Sequence, residues 1–243
     1  MTGGQCAEQP HAAGGEGSNV LSRSILTPRL IRNVRPRIKT DSMLSLPKIF
    51  RPLYGKPSWN VKRGWGSFLT FEFGEPHLHI RERRCPKRKM SPKVRRLLAR
   101  RGVTVRGEWH LWIYCCDWRV RVGHRVVGHS RSKAGIDRAA QELDGQALTR
   151  VAALPQPGCT RFEFDLGRVL ETQPYDEESE QWFLYDAKGY VLTMRWDGLC
   201  SYEPGDRPND QAIWHRVRSG LTIRMQPTAR TRVPSAGKFG RRG

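Results

Sequence analysis

No stretch of this chain approaches the roughly 18 uninterrupted apolar residues that a spanning helix requires, so the sequence predicts no transmembrane segment. The opening residues lack the basic start, apolar run and small-residue cleavage site of a secretory signal. The six Cys, at 6, 85, 115, 116, 159 and 200, fall at no disulfide-like spacing. A reducing cytoplasm is the compartment this pattern predicts. Also missing are a CxxC pair, a GxSxG elbow, a Walker loop and an HExxH helix, the familiar signatures of thiol redox, serine-hydrolase, nucleotide and zinc-protease chemistry. Nothing in the sequence asks for a cofactor.

Acidic residues are scarce where basic ones are dense. The formal charge is +20, and residues 1–57 hold nine Lys and Arg against three Asp and Glu, residues 81–106 twelve against one, and residues 216–243 eight against none. Residues 161–215 reverse the sign, with five against twelve. The positive excess therefore belongs to two tails and one insert rather than to the body. Residues 81–106 also lack aromatics, and with them the platforms on which single-stranded nucleic acid stacks.

What the chain has in plenty is alternation. In GEWHLWIYCCDWRVRV, residues 107–122, Trp109, Leu111, Ile113 and Cys115 alternate with His110, Trp112, Tyr114 and Cys116. Aromatic side chains suit a pleated surface and no helical spacing is kept, so this run reads as a central strand. Further strands follow at 65–73 and 76–82, joined as a hairpin through Gly74-Glu75-Pro76, and at 148–154, 160–166 and 168–172. The clearest hairpin joins 181–186 to 190–196 through Ala187-Lys188-Gly189. Between the halves, Ser130 or Ser132 caps a helix over about 134–143 whose Ile136, Ala139, Ala140 and Leu143 share one face. Residues 43–64, broken by Pro and Gly, read as an extended arm packed on the domain. Two Pro break residues 83–102, where only 94–101 has the makings of a short basic helix.

The fold class that results is mainly β: antiparallel β-meander units with one short linking helix and disordered basic tails. Residues 1–42 form a disordered Gly/Ser/Arg-rich segment, 43–215 a β-rich domain with a basic insert at 83–102, and 216–243 a disordered basic tail. Phe-Glu-Phe recurs at 71–73 and 162–164, each time followed by Gly, an alternating strand and then an aromatic strand. This suggests a duplicated pair of meanders in which Trp112 corresponds to Trp182.

Candidate sites are few. His77 and His79, two apart on a strand, project from one face and offer two ligands to a metal, but a structural zinc site needs four, so they read as histidines on an edge hairpin with no metal retained. Glu163, Asp165, Glu171 and Asp176 are numerous enough for acid–base work but show no convergent partner, and a solvated acidic face is the plainer reading. Arg83, Arg84, Lys87, Arg88, Lys89, Lys93, Arg95, Arg96, Arg100 and Arg101 in the insert are the candidates for phosphate contact, without sequence preference. His110, Trp112 and Tyr114 on the strand, with Asp176, Glu177, Glu178 and Glu180 in an acidic loop, are the candidates for a protein surface.

The segments GSFLTFEFGEPHLHIRE, GEWHLWIYCCDWRV, LDGQALTRV, TRFEFDLGRVLET and EQWFLYDAKGYVLT together resemble a family of uncharacterised bacterial proteins over about residues 50–205. The resemblance implies a β domain and transfers no catalytic residue. The end, MQPTARTRVPSAGKFGRRG, is similar to tails on many unrelated bacterial proteins. The sequence thus predicts a cytoplasmic binding or interaction module, immunity-like or regulatory, with a protein partner. Its alternatives are weak nucleic-acid binding through the insert and tails, and an enzyme with an unrecognised site.

Overall fold

The computed structural model describes residues 37–85 and 90–218. The strands of the described residues pair into three sheets, and the two larger ones pack together because each of their strands has one apolar face to bury. The larger sheet has eight strands in the order β1 (Arg37–Leu44), β15 (Ile213–Val217), β14 (Leu199–Pro204), β13 (Tyr190–Arg195), β12 (Glu180–Tyr185), β6 (Trp109–Ile113), β3 (Leu69–Phe73) and β2 (Ser58–Arg63). The smaller has five, β8 (Arg125–His129), β7 (Asp117–Val122), β11 (Arg168–Gln173), β10 (Thr160–Phe164) and β9 (Leu148–Ala153). Among these strands every pairing is antiparallel except β1 with β15.

One core lies between the two sheets. Phe71 on β3 meets Phe164 on β10 with ring centroids 6.4 Å apart, and Trp182 on β12 meets Phe162 on β10 at 5.6 Å. The expected central strand is in the middle as read, but it is two strands. The chain breaks pairing at 114–116 so that β6 lies inside the larger sheet and β7 inside the smaller. Leu111 and Ile113 from one half, and Trp118 and Val120 from the other, all enter the same core.

Three helices, not one, are described. The linking helix α3 (Lys133–Leu143) is as read: the Ser132 side chain accepts from the Gly135 N–H, and Ile136, Ala139, Ala140 and Leu143 are buried. Residues 43–64 are no extended arm. They form α1 (Leu46–Phe50), a 3-10 turn (Arg51–Leu53) and β2, with Leu46, Phe50 and Leu53 fully buried. Phe50 packs edge-on against Phe162 at 5.9 Å and Trp182 at 5.8 Å, so α1 fills the gap between the sheets. The i, i+4, i+7 spacing of those three residues was too short a signal beside Pro47 and Pro52. The third helix, α2 (Pro92–Leu98), lies in the basic insert, capped by Ser91.

α3 sits against β8 so closely that a Cβ on Gly128 would lie 2.4 Å from the Gly135 carbonyl oxygen and 2.7 Å from Ala139 Cβ. Neither backbone can yield without displacing the helix. Gly128→Ala is expected to cost about 1–3 kcal/mol as overpacking, read as a lower urea midpoint.

Several other expectations change. β3 does not pair with the strand that follows it; its partners are β2 and β6, while β4 (His77–Arg81) pairs with β5 (Gly102–Arg106). The meander duplication fails on strand order. β3 and β6 are neighbours in one sheet, whereas β10 and β12, their supposed counterparts, lie in different sheets. Trp182 is fully buried in the core, and Trp112 packs in a separate cluster on the outer face. Residues 37–42, read as disordered, and 216–217, read as tail, are strand, because β1 docks on β15 as a parallel edge strand through its backbone. The disorder expected of residues 1–36 and 219–243 lies outside the described residues. No helix among the described residues is long and apolar enough to cross a membrane.

Candidate interaction surface

Among the described residues β4 and β5 pair only with each other, and α2 of the basic insert lies at the tip of this two-stranded ribbon. Opposed residues share a face. Leu78 stands opposite Val105 and Ile80 opposite Val103, so the ribbon carries four aliphatic side chains on one side. They are 67%, 49%, 54% and 56% exposed in that order, and Leu97 on α2 is also exposed. A two-stranded ribbon with an open apolar face is not a self-sufficient unit. α2 buries none of its residues; Arg81 Nη2 donates to the Leu97 carbonyl at 2.6 Å and the Arg84 N–H to that of Leu98 at 2.8 Å, holding the helix to the ribbon.

Of the insert cations, Arg83, Arg84, Lys93, Arg95, Arg96, Arg100 and Arg101 belong to this arm, and Arg101 pairs with Glu82 at 3.0 Å. Lys87, Arg88 and Lys89 lie outside the described residues. His77 and His79 face away from the aliphatic row. Burial, then Arg106, His77 and Arg81, hold the His79 ring below its ordinary pKa, and the same positive field opposes a metal cation. No group of three His, Cys, Asp or Glu suited to a metal occurs among the described residues.

The arm is rooted in a buried charge cluster on the outer face of the larger sheet. Glu72, 1% exposed, accepts from Arg106 Nη1 at 2.9 Å, from the Gly107 N–H at 3.1 Å and from His110 Nδ1 at 3.0 Å. His110 Nε2 lies 3.2 Å from Arg106 Nη1. The same Nη1 lies 3.0 Å from Nδ1, and the tautomer with its hydrogen on Nδ1 donates to Glu72. Burial foremost, then Arg106, holds His110 below its usual pKa against the opposing pull of Glu72. Burial alone would raise Glu72, but hydrogen bonds from His110 and Gly107 and the charge of Arg106 outweigh it and keep the carboxyl ionised. A Cβ at Gly107 would meet the Phe73 carbonyl oxygen at 2.4 Å, so the chain passes the sheet there only as glycine.

Trp112 and Tyr114 lie on this same outer face with Phe68 and Phe183, the Trp112–Phe68 and Trp112–Phe183 centroids being 5.8 and 5.7 Å apart. Some of these rings meet edge-on, as Trp112 and Phe68 do, and others tilted, as Trp112 and Phe183 do at 38°. Tyr114 is pushed up to about 12, chiefly by burial. The acidic loop is at the other end of the sheet from the arm. β12 runs from Glu180, next to the Ile113 end of β6, whereas the arm joins at its Trp109 end. Asp176 is tied down by the Glu178 and Ser179 N–H groups at 2.9 and 2.7 Å, leaving Glu177 and Glu178 exposed and Glu180 half-buried.

The remaining acids do not form an acid–base pair. Asp165 accepts from the Ala147 and Leu166 N–H groups, and Glu171 is held by arginines. A cleft of about 520 Å³ between the β9–β10 and β13–β14 turns contains Cys159 and Asp197. Burial and then Glu171 push the Cys159 thiol up, and Asp197 pairs with Arg195 at 2.8 Å, so neither is an activated group. Burial likewise raises Cys115 and Cys116. The aliphatic row on β4 and β5 was missed in the sequence because Leu78 and Ile80 stand some 25 residues from Val103 and Val105, and only their pairing makes one surface. No protein-family model, curated protein or solved structure matches the chain.

Proposed function

We propose that the chain is a protein-interaction module that grips its partner with the β4–α2–β5 arm. The exposed row Leu78, Ile80, Val103 and Val105 inside a basic surround carries this reading, since apolar patches rimmed by charge mark protein contact. The complement is an apolar groove edged with carboxylates. A second copy of the arm repels the first, with twelve Lys and Arg against one Glu over 81–106, and both tails share that sign. Phosphate alone satisfies the cations and leaves the aliphatic row in water. The relation to the uncharacterised bacterial family belongs to the same proposal, as does the cytoplasm, which suits free thiols at Cys85, Cys115, Cys116, Cys159 and Cys200.

A second reading, a nucleic-acid arm, is favoured by one observation: a two-stranded ribbon with a cationic tip fits the major groove. The two separate in one set of measurements. A synthetic peptide alternating Leu and Glu is titrated against the full chain by fluorescence anisotropy, beside a duplex of arbitrary sequence. Leu78→Ser with Val105→Ser is expected to weaken the peptide about tenfold or more, since each buried aliphatic contributes about 1.5–3 kcal/mol, while stability changes by less than about 0.5 kcal/mol. Duplex binding at physiological salt that ignores this change, with no peptide bound, would reverse the order of the two readings.

A further inference from the structure

Three guanidinium groups converge on one carboxylate on the outer face of the five-stranded sheet. Arg119 on β7, Glu171 on β11 and Arg161 on β10 are cross-strand neighbours, and Arg121 is the next residue along β7 on that face. Glu171 Oε1 accepts from Arg161 Nε at 3.0 Å and Nη2 at 2.7 Å and from Arg121 Nη2 at 3.0 Å. Oε2 accepts from Arg119 Nε at 3.0 Å. Three of the four bonds fall on Oε1 and one on Oε2, so Oε1 has no acceptor capacity left. One bidentate arginine already neutralises it, so the fold has no use for the charge of the other two.

That surplus is not absorbed elsewhere. Glu163 and Asp117, two residues from Arg161 along β10 and from Arg119 along β7 on this face, each have a cation of their own, Arg150 at 3.9 Å and Arg131 at 3.0 Å. Arg121 Nε is buried and has no acceptor among the described residues. The cluster is nevertheless open to solvent, with the Arg119 side chain 56% exposed and those of Arg121 and Arg161 27% and 29%.

We infer that Arg119, Arg121 and Arg161 form an oxyanion-binding site for a dianionic phosphate monoester, with Glu171 as the buried carboxylate that fixes the three forks. Charge sets the ligand class. Three guanidiniums and one carboxylate leave two positive charges, which a monoester dianion cancels and a phosphodiester or carboxylate only halves. Guanidinium forks also match phosphate oxygens two at a time, which an ammonium does not. The site is independent of the arm.

Phenyl phosphate titrated calorimetrically into the full chain at physiological salt and pH 8 is expected to bind saturably at one site, with dimethyl phosphate and acetate at least tenfold weaker. Arg119→Gln and Arg121→Gln are each expected to weaken phenyl phosphate about tenfold or more, the scale of a lost charge-assisted bond. A chain with Arg95, Arg96, Arg100 and Arg101 changed to Gln is expected to bind as before. Lowering the pH through about 6, the second ionisation of a phosphate monoester, is expected to weaken phenyl phosphate relative to sulfate, whose charge is fixed and which carries any effect of His129, opposite Arg119 on β8. Should Arg121→Gln not fold, Arg119→Gln and Arg119→Lys at the more exposed position carry the test. The site is refuted by absence of saturable binding, by dimethyl phosphate binding equally well, or by loss of binding in the arm variant alone.

Discussion

Trp182→Ala is expected to destabilise the protein by about 3–5 kcal/mol, the range for truncating a large aromatic in a closed core. The side chain is fully buried and touches both sheets and α1, with Phe162 at 5.6 Å and Phe50 at 5.8 Å. Its Nε1 donates to Thr160 Oγ1 at 3.1 Å, and Thr160 is itself fully buried, so truncation also strands a hydroxyl away from water. Against a total of about 5–15 kcal/mol, such a loss is a large fraction of all stability. Trp112→Ala is the control. That ring is half-buried in the outer cluster and makes no bond to the core, so about 1–2 kcal/mol is expected at the partial-burial scale. Urea midpoints compare the two. An equal loss in both would mean that the outer aromatic cluster bears as much of the fold as the core does.

The contrast between these two tryptophans shows what was legible in the sequence. Period-2 alternation identified β3, β4, β6, β7 and β9 to β13 with the β12–β13 hairpin, and the Ser132 cap with its apolar face identified α3, because these signals are local; alternation missed β1, β2, β5, β8, β14 and β15. Which sheet a strand joins is not local. A break of three residues at 114–116 sends one aromatic run into two sheets, and no single-strand pattern encodes that turn. The Phe-Glu-Phe repeat looked like duplication for the same reason: alternation records which face is buried, not which partner is paired. Both candidate surfaces follow this rule. The cations of the insert were visible as a charge run, but the aliphatic row exists only through the β4–β5 register, and the arginine cluster only through that of β7, β11 and β10. In the sequence Glu171 is one acid among several on an alternating face. Its three arginines come from residues 42 positions apart in the chain, Arg119 to Arg161.

Acid should loosen the arm before it unfolds the body, and Glu72 is the group through which this happens. Its folded pKa is depressed, so the stability it contributes is fully present above the ordinary carboxylate value of about 4.3 and is lost as pH falls through the folded one. His110 acts in the same direction. Its pKa is also depressed, so below about 6.5 the unfolded chain takes up the proton first and stability declines with falling pH. Two descending stretches are therefore expected in a plot of unfolding free energy against pH. The one that sets in below about 6.5 should flatten in His110→Asn, and the one that sets in below about 4.3 should flatten in Glu72→Gln. At neutral pH, Glu72→Ala is expected to cost about 3–5 kcal/mol, since it leaves the Arg106 charge without its carboxylate and the His110 Nδ1–H and Gly107 N–H without their acceptor. Arg106 is the last residue of β5, and the Gly107 N–H donates to the same carboxylate, so the first amides to lose hydrogen-exchange protection in Glu72→Gln should be those of β4 and β5. If exchange instead quickened evenly across both sheets, Glu72 would be a core residue of the whole body, and the arm would not be a unit that opens by itself.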